Sequence, residues 1–139
     1  IALLALTVVS DLGLYFGVAR HAPLAQYEYR GDLTEVSAYL NARAGGRLPH
    51  AAVEPLPYLV LDDFSAQTVH YLTTPAHPYR IVGPEASREV VLRTGEQLVF
   101  AQSSLPDASR YLLAHPTARI VEERANRFGE TVLLVIQGP

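Results

Sequence analysis

The strongest constraint on the fold is the continuous apolar run Tyr58-Leu59-Val60-Leu61, which ends at the acidic pair Asp62-Asp63. A strand without polar alternation is stable in water only when both of its faces are covered, as in parallel sheets that carry helices on each side. A second run of this kind covers residues 97–101. The two runs therefore predict a sheet whose central strands are buried on both faces.

Helical patterns alternate with these runs. Apolar residues recur at helical spacing after Asp32, which can cap a helix with Glu35 three residues on, and Gly45-Gly46 is typical of the end of that helix. The same spacing rules predict helices over residues 65–72 and 106–114, short strands over 58–61 and 79–82, and either a strand or a loop helix over 89–93.

The end of the chain is typical of an antiparallel hairpin. Two segments rich in apolar and β-branched residues, 119–124 and 131–136, are separated by a turn-forming segment from Asn126 to Gly129. Strands that alternate with helices and then close with such a hairpin indicate an α/β fold. We expect a mixed, mainly parallel sheet flanked by helices in Rossmann-like layering, with a C-terminal antiparallel hairpin.

Residues 1–19 are apolar on every helical face. A helix of this kind lies either in a protein core or in lipid, and the uninterrupted part, residues 1–9, is shorter than the roughly 20 residues that cross a bilayer. Two alternatives stay open, the end of a membrane span or a core helix. We expect residues 1–30 to form this apolar segment and a connector, and residues 31–139 to form a single α/β domain. Because the sequence contains no Met, we expect it to be a piece of a longer protein.

Composition excludes several kinds of function. All eleven basic residues are Arg and face fourteen acidic residues, for a net charge of −3, so no basic face indicates nucleic acid. The chain has no Cys, and no two of its five His residues have the i, i+4 spacing of a helical metal site. Glycine-rich nucleotide-binding sequences and the nucleophile elbow of hydrolases are also missing from the sequence. We therefore predict no metal site, no cofactor and no catalytic residue.

The candidate ligand-binding residues are Asp62, Asp63 and Ser65, which follow the buried strand. Open α/β sheets bind ligands in crevices outside the carboxyl ends of their strands, and this is where these side chains are expected. The structural alternative is that Asp63 or Ser65 caps the next helix, because a side-chain oxygen at that position accepts hydrogen bonds from free backbone N–H groups. Most of the tyrosines are expected in the core.

The order of these pieces resembles a known arrangement. An apolar helix end is followed by a connector with Leu14-Tyr15-Phe16 and Tyr27-Glu28-Tyr29, and then by the helix Asp-Leu-Thr-Glu-Val-Ser-Ala-Tyr-Leu-Asn that starts at Asp32. The strand Leu-Val-Leu-Asp-Asp and a helix with Tyr71-Leu72 come next. This order resembles the C-terminal extracytoplasmic domain of bacterial polytopic glycosyltransferases, the group similar to protein mannosyltransferases and lipid A aminoarabinose transferases.

The resemblance implies a function for the whole protein rather than for this chain alone. Proteins of this group transfer a sugar from a polyprenyl-phosphate donor outside the cell membrane, and their catalytic carboxylates lie in a region that this sequence does not contain. The resemblance thus implies a non-catalytic extracytoplasmic domain that aids acceptor access or partner contact. Its partners are then the membrane-embedded part of the same protein and a glycan or lipid-linked acceptor. The alternative is a free-standing α/β module that binds a small ligand or acts as a sensor.

Overall fold

The computed structural model describes residues 2–18, 21–45, 55–73 and 79–139. Contacts within the chain divide it into two compact units, Ile1–Gly31 and Asp32–Pro139. The first unit contains helix α1 (Ala2–Gly13), a π-helical segment (Leu14–Val18) and helix α2 (Pro23–Glu28). Every side chain described over residues 3–18 is exposed. Among the helices in the described part of the chain, none is both long enough and apolar enough to span a membrane.

The second unit is built around a five-stranded sheet with the strand order β2-β1-β3-β5-β4. Strand β1 is parallel to both of its neighbours, and β5 is antiparallel to both β3 and β4, so four strands run in one direction and β5 runs against them. The strands are β1 (Tyr58–Val60), β2 (Arg80–Val82), β3 (Gln97–Ala101), β4 (Arg119–Ala125) and β5 (Thr131–Gln137).

Helices cover both faces of this sheet. They are α3 (Gly31–Gly45), α4 (Asp63–Leu72) and α5 (Leu105–Ala114). The prediction of an α/β fold with a mixed, mostly parallel sheet flanked by helices is confirmed, and the chain closes with the antiparallel β4–β5 pair.

Two hydrophobic cores lie on opposite faces of the sheet. Leu59 contributes to the core beneath α3 and α4, whereas the next residue, Val60, contributes to the core beneath α5. The same alternation holds in β3, where Val99 and Phe100 are both fully buried but belong to different cores. Each such side chain contributes roughly 1.5–3 kcal/mol when it is buried. Burial on both faces is the physical reason why these strands are continuously apolar in sequence.

Most predicted elements agree with the structure to within one residue, and α4 begins two residues earlier than predicted, at Asp63. The capping prediction at Asp32 is wrong in detail because α3 begins at Gly31, which places Asp32 inside the first helical turn, where it is buried. Residue Gly46, predicted to lie at the end of this helix, is outside the described residues.

Residues 89–93, predicted to be either a strand or a loop helix, form neither element over their whole length. A 3-10 helix ends at Glu89, and the residues that follow are irregular. The turn is closed by Ser87, whose hydroxyl donates to the Pro84 carbonyl at 2.6 Å. After the turn, the Val90 carbonyl accepts a hydrogen bond from the Tyr111 hydroxyl at 3.0 Å, and Leu92 is buried in the core beneath α5. The segment is thus held by α5 instead of by a strand ladder.

Candidate functional site

The acidic pair after β1 contains a helix cap. Asp62 has extended backbone and precedes α4, and its Oδ1 accepts a hydrogen bond from the Ser65 backbone N–H at 2.9 Å. Its Oδ2 accepts from the Ser65 hydroxyl at 2.6 Å. The structure therefore brings Asp62 and Ser65 together, whereas Asp63 is exposed in the first helical turn. Capping was predicted for Asp63 or Ser65, and this assignment is wrong, since Asp62 has the extended conformation that an N-cap requires.

The ligand position predicted beside Asp62, Asp63 and Ser65 is the carboxyl end of β1, where β1 neighbours β3. Because β2 and β3 lie on opposite sides of β1, the carboxyl ends of β1 and β3 form the switch point of the sheet. Ser104 is buried at this point. Its hydroxyl lies 3.0 Å from the Val60 carbonyl oxygen and 3.1 Å from that of Ala101, and it accepts from the Ala101 N–H at 3.1 Å. The Ser104 side chain thus ties the two strand ends together.

A second polar site lies between α3 and the edge strand β4. It is an open groove of about 400 Å³. The tyrosine ring of Tyr39, only 6% exposed, forms part of its wall. The groove is lined by Tyr39, Ala42, Arg43, Gln97, Val121, Glu122 and Arg124.

The polar side chains of the groove come from three elements. Tyr39 and Arg43 are four residues apart on α3 and therefore share one helical face. Gln97 is the first residue of β3 and links them, because its Oε1 accepts from the Tyr39 hydroxyl at 3.1 Å and from Arg43 Nη1 at 2.5 Å. The α3 side of the groove is thereby fixed to the sheet.

A β-bulge brings the other two charged residues to the groove. Ile120 pairs with Ile136, which belongs to the core beneath α5, but the register shifts before Glu122, which pairs with Val135 in the core beneath α3. Directly paired residues share one face of a sheet, so the bulge at Val121 turns Glu122, and Arg124 after it, toward α3.

Charges of both signs meet in the groove. Nε of Arg124 donates to Glu122 Oε1 at 2.7 Å, and Nη2 lies 2.6 Å from the same oxygen. The Arg124 guanidinium also stacks over the Tyr39 ring, 5.3 Å from its centroid, in a cation–π contact. Burial raises the pKa of the Tyr39 phenol above its ordinary value, and the neighbouring Arg43 partly opposes this increase.

No motif in the sequence marks Arg43, Gln97, Glu122 and Arg124 as site residues. The helical spacing of Tyr39 and Arg43 is a local signal, but nothing local shows that Arg124 lies beside them. The prediction that most tyrosines are in the core is wrong. Tyr39 and Tyr111 are buried and two more are partly buried, but four of the eight, such as Tyr71, are exposed.

Metal ligands do not converge in the ranges that the structure describes, since no three His, Asp or Glu side chains there could hold an ion. The chain matches no protein-family model, no curated protein and no solved structure.

Proposed function

We propose that this chain is the non-catalytic extracytoplasmic domain of a polytopic membrane glycosyltransferase that uses a polyprenyl-phosphate sugar donor. In this proposal the first unit is the end of a membrane span with its connector, and the α/β unit aids acceptor access or contacts a partner. The observation that carries the proposal is the exposed apolar surface of α1. The choice of a glycosyltransferase rests on the order of sequence elements that follows this segment.

The apolar surface of the first unit surrounds its helix. Leu3, Leu4 and Leu6 are 80%, 73% and 65% exposed, although consecutive and near-consecutive residues point in different directions around a helix. A protein groove covers one side of a helix, whereas hydrocarbon covers all sides. Because exposed apolar surface of this kind is unfavourable in water, we infer that lipid surrounds α1.

Aromatic side chains at the end of this helix support the same arrangement. The Tyr15 ring meets the rings of Phe16 and Tyr29 edge to face, at centroid distances of 5.0 and 6.1 Å. All three side chains are exposed. Tyrosines are enriched where a membrane meets water because one end of the ring is apolar and the other is polar. We therefore assign this cluster to the membrane surface and α1 to the hydrocarbon.

The α/β unit fits the role of an appended domain with its own core. The Rossmann-like layering predicted from the sequence is part of this proposal, and it is supported by the parallel β1-α4-β2 unit and by helices on both faces of the sheet. The antiparallel β5, inserted between β3 and β4, departs from that layering.

The decisive experiment is to sequence the gene on the 5′ side of the Ile1 codon. We expect about eight or more apolar stretches of about 20 residues, with acidic residues in the first extracytoplasmic loop. A gene that encodes no such stretch would contradict the glycosyltransferase proposal.

The membrane assignment of α1 has a separate test by flotation of the full chain with phospholipid vesicles. The double variant Leu6→Asp/Val9→Asp should remain at the bottom of the gradient, because each charge costs about 2.5–3.5 kcal/mol in hydrocarbon. Val91→Asp/Leu113→Asp is a matched control, since these side chains are 77% and 85% exposed in the second unit. Equal flotation of the two variants would contradict the assignment.

A further inference from the structure

We propose that the groove between α3 and β4 binds a small molecule through a carboxylate or phosphate group, with Arg43 and Arg124 as the ligating side chains. This inference is independent of the membrane proposal because all of the groove residues belong to the second unit. It also places the ligand away from Asp62 and Ser65, whose contacts with each other make a helix cap.

The dimensions of the groove suit a small molecule. Its volume of about 400 Å³ lies within the range of roughly 300–1,000 Å³ that ligand pockets occupy. The Tyr39 ring supplies an apolar wall, and the polar groups of Gln97, Glu122 and Arg124 border it. Polar and charged groups make up a larger part of this lining than in the mainly apolar pockets that bind drug-sized ligands, which suits a small charged molecule.

The charge of the groove favours an anion. Two guanidinium groups and one carboxylate line it, for a local charge of +1, whereas the whole chain carries −3. Guanidinium groups present N–H donors in a planar fork that matches carboxylate and phosphate oxygens. The Arg124 side chain is 35% exposed, so an entering anion can reach it.

Both guanidinium groups are positioned before a ligand arrives. Arg124 stacks on the Tyr39 ring, and Arg43 shares the Gln97 side-chain oxygen with the Tyr39 hydroxyl. Such positioning reduces the entropy lost on binding. Glu122 has the opposite effect, because its carboxylate already occupies Arg124 and competes with an anionic ligand for the same donors. Removal of this charge should therefore strengthen binding.

Titration calorimetry of the full chain at low ionic strength tests the proposal. The probes are D-glucuronate for the carboxylate, glucose 1-phosphate for the phosphate, and uncharged glucose as the control ligand. We expect at least one anion to bind and glucose not to bind. Arg124→Gln and Arg43→Gln should each weaken the binding of that anion by about tenfold or more, the usual effect of losing a charge-assisted hydrogen bond.

Glu122→Gln separates a binding role from a merely structural one. It should tighten anion binding severalfold, whereas a residue that only holds the fold together would weaken binding when it is replaced. Arg119→Gln is the matched control, because Arg119 lies on the same strand, is exposed and does not line the groove. It should leave the affinity unchanged.

Several results would overturn the proposal. These are binding of neither anion, equal binding of glucose, or an affinity that falls as much with Arg119→Gln as with Arg124→Gln. Circular dichroism of each variant shows whether it is folded. If Arg124→Gln unfolds the chain, Arg124→Lys replaces it, because lysine keeps the positive charge but lacks the planar fork of donors. Unchanged anion affinity in both Glu122→Gln and Arg124→Lys would also refute the assignment.

Discussion

Small polar side chains at the carboxyl ends of β1 and β3 form hydrogen bonds with other groups of the same chain. Asp62 accepts two hydrogen bonds from Ser65, and Ser104 contacts the backbone of both strands. Buried hydroxyl groups of this kind are paired because an unpaired one costs about 1–3 kcal/mol. These contacts account for the residue types at Asp62, Ser65 and Ser104 without a ligand.

The cap at Asp62 is predicted to stabilise the folded chain. Asp62→Ala should lower the free energy of unfolding by about 1 kcal/mol, since it removes the hydrogen bonds that Asp62 accepts from the backbone N–H and from the hydroxyl of Ser65. Urea denaturation measures the change. Asp63→Ala is the control, because Asp63 is exposed in the first helical turn, where a negative charge is worth about 0.3–1 kcal/mol through the helix dipole. A larger loss for Asp63→Ala than for Asp62→Ala would show that the cap is assigned to the wrong residue.

Among the elements, the β4–β5 hairpin has the most local determinants. Oδ1 of Asn126 accepts hydrogen bonds from the backbone N–H groups of Phe128 and Glu130, at 2.9 and 3.0 Å. Gly129 has φ +82°, a conformation in which a Cβ is strained. Both features involve residues within four positions of each other, and this is why the turn could be predicted from the sequence.

Substitution of Gly129 tests the strain directly. Gly129→Ala should lower the free energy of unfolding by about 1–2 kcal/mol through the positive φ alone, because no atom lies within 4 Å of the added Cβ. Gly83→Ala is the matched control. Gly83 also has open space around its Cβ, but its φ lies outside the positive region. We expect that variant to have unchanged or slightly increased stability in thermal denaturation. Equal effects of the two substitutions would exclude backbone strain at Gly129.

At the scale of the whole molecule, stability depends on two buried phenols in opposite cores. Tyr39, a residue of α3, packs in the core between α3 and the sheet, and Tyr111 packs with Phe100 on the other face. Burial raises the pKa of both phenols above their ordinary value of 10.0, because the phenolate is poorly solvated there. The folded chain therefore holds these protons at a pH at which the unfolded chain releases them.

This difference predicts an alkaline loss of stability. The contribution of the two phenols is fully present below pH 10.0 and decreases as the pH rises from there through the higher pKa values of the folded state. Urea denaturation between pH 8 and pH 11, roughly the range that brackets an ordinary tyrosine pKa, should show a falling free energy of unfolding. Tyr111→Phe should make the free energy of unfolding fall less steeply with pH at pH values above an ordinary tyrosine pKa. The exposed Tyr71 serves as the control, and an equal reduction with Tyr71→Phe would contradict this explanation.

The sequence by itself determined most of the segments that form strands and helices, with residues 89–93 as an exception, and it determined that both sheet faces are covered. These properties depend on the spacing of apolar residues within each segment, as in the run from Tyr58 to Leu61 and in the hairpin around Gly129. The contact between Asp62 and Ser65 is also local, since only three positions separate them. The sequence nevertheless predicts the cap at Asp63 or Ser65 instead of Asp62, because a shift of one position along the chain changes which carboxylate has the extended backbone.

Which residues come together in the α3–β4 groove was decided only by the tertiary structure. Tyr39, Gln97 and Arg124 are far apart in sequence. They come together because α3 packs across the sheet, so that Tyr39 contacts both Gln97 on β3 and Arg124 on β4, two strands away. The bulge at Val121 then selects the face on which Glu122 and Arg124 lie. Strand order and register are set by pairing over long distances, and side-chain periodicity within a strand does not specify either of them.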